Sequence, residues 1–233
     1  MGKINSNCGY CFSAFGKSSV TSGIYKNFTA CGLSKLMGLI CTNLFTSSGY
    51  TKIKTSQLNK MRVSGTTKLR QSTAGEIHSS GHLEASHCPK LGKIQASGHA
   101  SLNHCQDIKE IVASGAFSLD CSKVQGNVTL TGNEATITGS TIVGKLQCAE
   151  KIVKISNSSI GRIIVRPVNN NWRFEILPFW SYLRKSSPQE QVIELSGKNC
   201  QTPSISFEDG AFGKVYLQNG ATRPTVTGAA VII

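Results

Sequence analysis

All five histidines of the chain lie between His78 and His104, and four of them form two pairs at one identical interval: His82 and His99, His87 and His104. If that interval is one structural unit, the imidazoles of each pair stand over one another. That is close enough to share a Zn²⁺ or Cu²⁺ ion, or to repel when protonated. His87 and His104 are therefore the candidate metal ligands, while duplication of one unit accounts for the same ladder without any chemistry. Each is followed by a cysteine, Cys88 and Cys105. Neighbours on a strand face opposite sides, so a site combining these histidines and cysteines requires a turn at that point. Cys88, Cys105 and, shifted by one, Cys121 read as small apolar side chains of one column. The odd total of nine cysteines does not suggest a closed disulfide scaffold. Cys8-x-x-Cys11 stands alone, because Cys31 and Cys41 lack the paired spacing of a zinc site.

The opening residues Met1-Gly2-Lys3-Ile4-Asn5-Ser6 fit the pattern for N-myristoylation. They resemble the start of the neuronal calcium-sensor proteins, which are acylated on that glycine; nothing downstream resembles an EF-hand. Gly2, with Cys8 and Cys11 as palmitoylation candidates, makes a coherent lipid anchor, since one acyl chain becomes stable only with a second chain or a basic patch. The patch is present. The first acidic residue is Glu76, and ten basic residues precede it: Lys3, Lys17, Lys26, Lys35, Lys52, Lys54, Lys60, Arg62, Lys68 and Arg70. They account for most of the net charge of +13. Residues 1–75 are thus expected to be drawn to an anionic membrane surface. A plain solvated arm is the alternative. No signal peptide and no run of 18 apolar residues is visible, and the location stays open, with peripheral membrane association or a bacterial cell envelope as the readings.

Catalysis finds little support. The carboxylates Glu84, Asp107, Glu110, Asp120, Glu134 and Glu150 are scattered, whereas polysaccharide cleavage needs them clustered. No nucleophile elbow, zinc-protease motif, phosphate loop or dinucleotide fingerprint occurs. The chain is expected not to be an enzyme, to need no cofactor, and to have no small-molecule or nucleic-acid partner.

The elements that must position these residues come from a repeat. Ser64-Gly65, Ser80-Gly81, Ser97-Gly98, Ser114-Gly115 and Thr131-Gly132 recur at nearly equal steps. Aligned on the glycine, apolar residues fall into columns: Leu83, Ala100 and Phe117; Ala85, Leu102 and Leu119; Ile94, Ile111 and Val128; Ala96, Ala113 and Leu130. Within each row they alternate with period two, the mark of short half-buried strands. Equal spacing with aligned columns predicts an all-β, single-stranded parallel β-helix with coils of about 17 residues. The glycine column marks either a crowded turn or a positive φ. Residues 1–60 are expected to form a basic, Ser/Thr/Gly-rich, largely irregular segment, and residues 61–233 the β-helix domain.

The pattern breaks at 166–191, which holds Trp172, Phe174, Phe179, Trp180 and Tyr182 around Pro178. This is an insertion that folds onto the solenoid or presents an aromatic patch to a partner. Short Ser-Gly and Val/Ile-rich coils with irregular flanks resemble the bactofilin-type polymer-forming β-helices of bacteria. The resemblance implies self-association end to end, through terminal coils, into filaments at a membrane. The expected function is that of a non-catalytic structural scaffold, with a lipidated effector-like binding protein and a carbohydrate-active β-helix as the other readings.

Overall fold

The computed structural model describes residues 2–5, 8–132, 134–168 and 189–233. All regular structure among them is β, and every strand pairing is parallel, within one continuous sheet wound into a solenoid of about 12 turns. The pairing register gives the coil length. Gly2 pairs with Ser18 and Tyr50 with Thr66, a step of 16. Ala100 pairs with Phe117, a step of 17, and Ala135 with Val153, a step of 18. The coil lengthens along the rod without losing its frame.

Each coil turns a row of side chains inward. Gln57–Val63 buries Leu58, Met61 and Val63 and leaves Asn59 and Lys60 both outside, so the chain bends between Leu58 and Met61. One inner column runs Phe12, Phe28, Phe45, Met61, Ile77, Ile94, Ile111, Val128, Leu146, Ile163, Ile205 and Val226. Its aromatic end is stacked, with ring centroids 5.1 Å apart for Phe12 and Phe28 and 5.7 Å for Phe28 and Phe45. Burying each such side chain stabilises by about 1.5–3 kcal/mol, and no coil does so without its neighbours.

The segment expected to be irregular is therefore coiled. Gly2–Asn5, Cys8–Ala14 and Lys17–Lys54 are strands, in register with the coils that follow. The frame that holds them is the glycine column, which continues upstream through Gly49, Gly32 and Gly16 at the same steps. A Cβ on Gly32, Gly49, Gly65, Gly81, Gly98, Gly115 or Gly132 would run into a backbone carbonyl of the preceding coil. From Gly65 to Gly132 crowding, and not a positive φ, is what demands glycine.

Gly16, Gly32 and Gly49 do have positive φ, but the regular run of it lies at a different corner, where most residues are not glycine: Ser22, Gly38, Thr55, Gln71, His87, His104, Cys121, Gly139 and Asn157, with φ between 46° and 65°. The left-handed turn brings the next residue inside, and that column reads Ser56, Ser72, Cys88, Cys105, Ser122, Ser140 and Ser158, all buried. Here backbone N–H groups point at side chains. Ser56 N–H donates to Ser72 Oγ (3.1 Å), Cys105 N–H to Ser122 Oγ (2.9 Å) and Ser140 N–H to Ser158 Oγ (3.1 Å). The Ser122, Ser140 and Ser158 hydroxyls in turn donate to the carbonyls two residues back, at 2.7–2.8 Å. Buried amides are satisfied, as they must be. Cys121, expected within the cysteine column, stands outside on the corner; Ser122 takes the inner place.

After Val165 the chain leaves the stack and returns at Gln191, so that Ile152 pairs with Val192 and Ile163 with Ile205. The buried Gln191 side chain closes the neck, its Nε2 donating to the carbonyls of Arg166 (2.7 Å) and Glu150 (3.1 Å). Trp172, Phe174, Phe179, Trp180 and Tyr182 lie outside the described residues.

Candidate functional site

Two features of the outer surface carry concentrated chemistry. The first is the left-handed corner where His87, His104 and Cys121 follow one another in successive coils. Their side chains stay outside because the next residue of each coil goes in; Cys88 and Cys105 are 0% exposed. The turn that a joint histidine–cysteine site requires does exist, yet it separates these histidines from their neighbouring cysteines.

The stacking expected from the repeat interval is present. The His82 and His99 rings lie 4.6 Å apart at 2°, and those of His87 and His104 5.1 Å apart at 6°. Parallel planes have a consequence for metal binding. An imidazole lone pair lies in its ring plane, so two parallel, stacked rings do not converge on one ion. His87 and His104 are brought together as a stack, not as a ligand pair.

His104 has other company. It, Asp120 and Cys121 present ligand atoms that all lie within 4.8 Å of one another. Asp120 arrives because it is paired with Asn103 one coil back. Asn103 binds both neighbours: its Oδ1 accepts from His104 Nδ1 at 2.6 Å, and its Nδ2 donates to Asp120 Oδ2 at 2.6 Å. The Cys121 thiol donates to Asp120 Oδ1 at 3.4 Å. That bond, with burial second, pushes the exposed Cys121 thiol above its ordinary pKa, which is the wrong direction for a nucleophile. Asp120 and Cys121 escape a reading based on repeated residue types, since each occurs once in its column. Their signal is adjacency to the corner.

The second feature is a groove of about 490 Å³ across the first coils. Lys52 pairs with Lys68 and Lys54 with Arg70 in two adjacent outward columns, and Lys35 and Met37 line the same groove. Lys68 is ion-paired with Glu84, and Lys52 lies over the Tyr50 ring at 5.6 Å. Lys35, Lys54 and Arg70 form no ion pair among the described residues. Downstream, charges alternate instead: Lys60, Glu76, Lys93 and Glu110 succeed one another in one column. Lys60 and Glu76 meet at 3.3 Å, as do Lys93 and Glu110. Glu134 is paired with Lys154 at 3.0 Å.

Of the acylation candidates, Gly2 lies in the first strand opposite Ser18, Cys8 in the second opposite Ile24, and Cys11 is exposed. Buried Glu150 accepts from Gly132 N–H at 2.7 Å, continuing the glycine column by another means. No helix among the described residues is long and apolar enough to cross a membrane. No family model, curated protein or solved structure matches this chain.

Proposed function

We propose that this chain is a non-catalytic structural scaffold, a β-solenoid rod laid against an anionic membrane by its basic N-terminal coils. The observation that carries the reading is the cationic groove. Lys52 and Lys68, Lys54 and Arg70 stand in two adjacent columns of a regular sheet face, with Lys35 and the exposed Met37 beside them. Among the described residues, Phe15, Ile24, Leu33 and Met37 of the first coils are exposed large apolar side chains, and Met37 lines the groove itself. Cations supply attraction to anionic headgroups, and exposed apolar side chains supply insertion at the acyl boundary. A groove for single-stranded nucleic acid would pair cations with aromatic stacking platforms, and no aromatic side chain is among the groove's described lining residues. The Lys–Glu pairing of carboxylates downstream supports a structural role over a hydrolytic one.

Each Lys or Arg near such a surface contributes about 1 kcal/mol. Replacing Lys52, Lys54 and Arg70 together by glutamine is therefore expected to weaken co-sedimentation with phosphatidylserine-containing vesicles about a hundredfold. Binding of the wild-type chain should fall with added salt and vanish on pure phosphatidylcholine. Equal binding to both vesicle types, or a triple variant that binds like wild type, would sink the reading. End-to-end association is a second reading. Gly2–Asn5 and Ala229–Ile232 each pair along one edge only among the described strands, and such edges template further pairing. Negative-stain microscopy distinguishes filaments from single short rods.

A further inference from the structure

We propose that the left-handed corner holds a divalent transition-metal site, built by His104, Asp120 and Cys121 and oriented by Asn103, whose ion is Zn²⁺. The three ligand atoms already lie within 4.8 Å of one another. A tetrahedral zinc with bonds of about 2.0–2.3 Å holds its ligand atoms about 3.5 Å apart. Closing the remaining distance takes side-chain rotation alone, since all three are on the surface and the corner backbone is pinned. His104 N–H donates to the Asp120 carbonyl at 2.9 Å, and Cys121 N–H to that of Thr138 at 2.9 Å.

The donor set selects the ion. Imidazole, carboxylate and thiol together suit zinc and disfavour magnesium and calcium, which take oxygen ligands. Asn103 stands where outer residues of metal sites stand, tied to two ligands at once at 2.6 Å each. At present the thiol proton of Cys121 bridges to Asp120 Oδ1. On binding, the ion takes the place of that proton: the sulfur ligates as thiolate, and one proton passes to solvent for each ion bound. His87, stacked flat on His104, covers one face of that ring and is not a ligand. Three protein ligands leave the fourth position to water.

The test uses the full chain, reduced and stripped with a chelator, titrated with Co²⁺ as the spectroscopic probe. One equivalent is expected to give tetrahedral cobalt absorption together with a sulfur-to-cobalt charge-transfer band, both displaced by Zn²⁺. Cys121→Ser should abolish the charge-transfer band, and Asn103→Ala should weaken cobalt affinity about 10- to 100-fold. Cys11→Ser, which removes another exposed thiol, should leave the band intact. Cys121 is exposed, so its replacement leaves the fold in place, which circular dichroism checks. Absence of a saturable charge-transfer band in the wild-type chain overturns the site, and so does a band that persists in Cys121→Ser. The vesicle experiment uses other coils and other side chains, so the two proposals fail independently.

Discussion

The coils of residues 17–72 and those of residues 73–165 share one frame and fill it differently. In the column that reads Leu83, Ala100 and Phe117 downstream, the earlier coils place Thr51 and Thr67. The column that ends in Ala96 and Ala113 runs through Ser47, Val63 and Ser79, so serine and aliphatic residues alternate across the boundary. The hydroxyls of Ser47, Thr51 and Thr67 are buried and satisfy one another, Ser47 and Thr51 at 2.6 Å, with Thr67 Oγ1 at 3.5 Å from Ser47 Oγ. Outside, the earlier coils carry cations and no carboxylate, whereas the later ones alternate lysine with glutamate. What the two regions keep in common is the glycine column and the left-handed corner. The coil is thus specified by where the backbone must crowd and turn, and the interior accepts hydroxyls as well as aliphatic groups, most of them partnered, with the buried Ser79 Oγ left without a partner.

The sharpest way to break this comparison is to strike the shared frame in both halves. Gly98→Ala, whose Cβ meets the Gly81 carbonyl, is expected to cost about 3 kcal/mol. Gly49→Ala should cost about as much, because its clash with the Gly32 carbonyl, at 2.7 Å, is milder but its φ of 96° adds backbone strain. Denaturant titration measures both; a mild Gly49→Ala would mean that the early coils are held by something else. Next in size come the buried hydroxyls. Ser140→Ala removes the acceptor for Ser122 N–H and should cost about 2 kcal/mol. In the earlier coils, Ser47→Ala or Thr51→Val alone should cost about 1 kcal/mol, and the two together less than their sum. Additive costs in that double-mutant cycle would show that the pair is not a unit.

The smallest effect is in pH. With Glu76 as the first acidic residue, carboxylate linkage belongs to the later coils. Burial raises the pKa of Glu150, against the opposing hydrogen bond from Gly132 N–H. The fold therefore favours its neutral form. That contribution is complete below the ordinary glutamate value of about 4.5 and is lost as pH rises through the folded value. Glu150→Gln should remove this downward slope and leave the chain more stable near neutrality. Glu76 runs the other way: His78 first, then Lys60, lower its pKa, so its contribution is present above the ordinary value and fades on acidification. Thermal melts across pH separate them, and an unchanged slope in Glu150→Gln would count against a buried carboxyl cost.

The parallel β-helix was legible because aliphatic residues fall into evenly spaced columns between Leu83 and Leu130. The first coils were not, since Ser34, Ser47, Thr51 and Thr67 occupy columns that hydropathy reads as surface. The glycine steps from Gly16 to Gly65 carried the missing signal, for crowding is indifferent to what fills the core. The histidine stacks followed from spacing alone. The grouping of Asp120 and Cys121 with His104 did not, because it depends on a corner whose left-handed residues are chemically varied. Nothing in Thr55, Gln71, His87 and Cys121 as residue types announces a shared φ. The serine column beside it reads as ordinary loop polarity until the orphan amides of the corner are counted.

The direction of the inter-coil hydrogen bonds has a mechanical consequence. They run along the rod axis, so a pull on its two ends loads every coil boundary in series, and the weakest boundary yields first. Each coil that peels away exchanges about 4.8 Å of rod for roughly 55 Å of slack chain. Extension under force would proceed in nearly equal steps, one for each coil boundary. The rod would yield gradually and keep its remaining coils intact, as an extensible tether does.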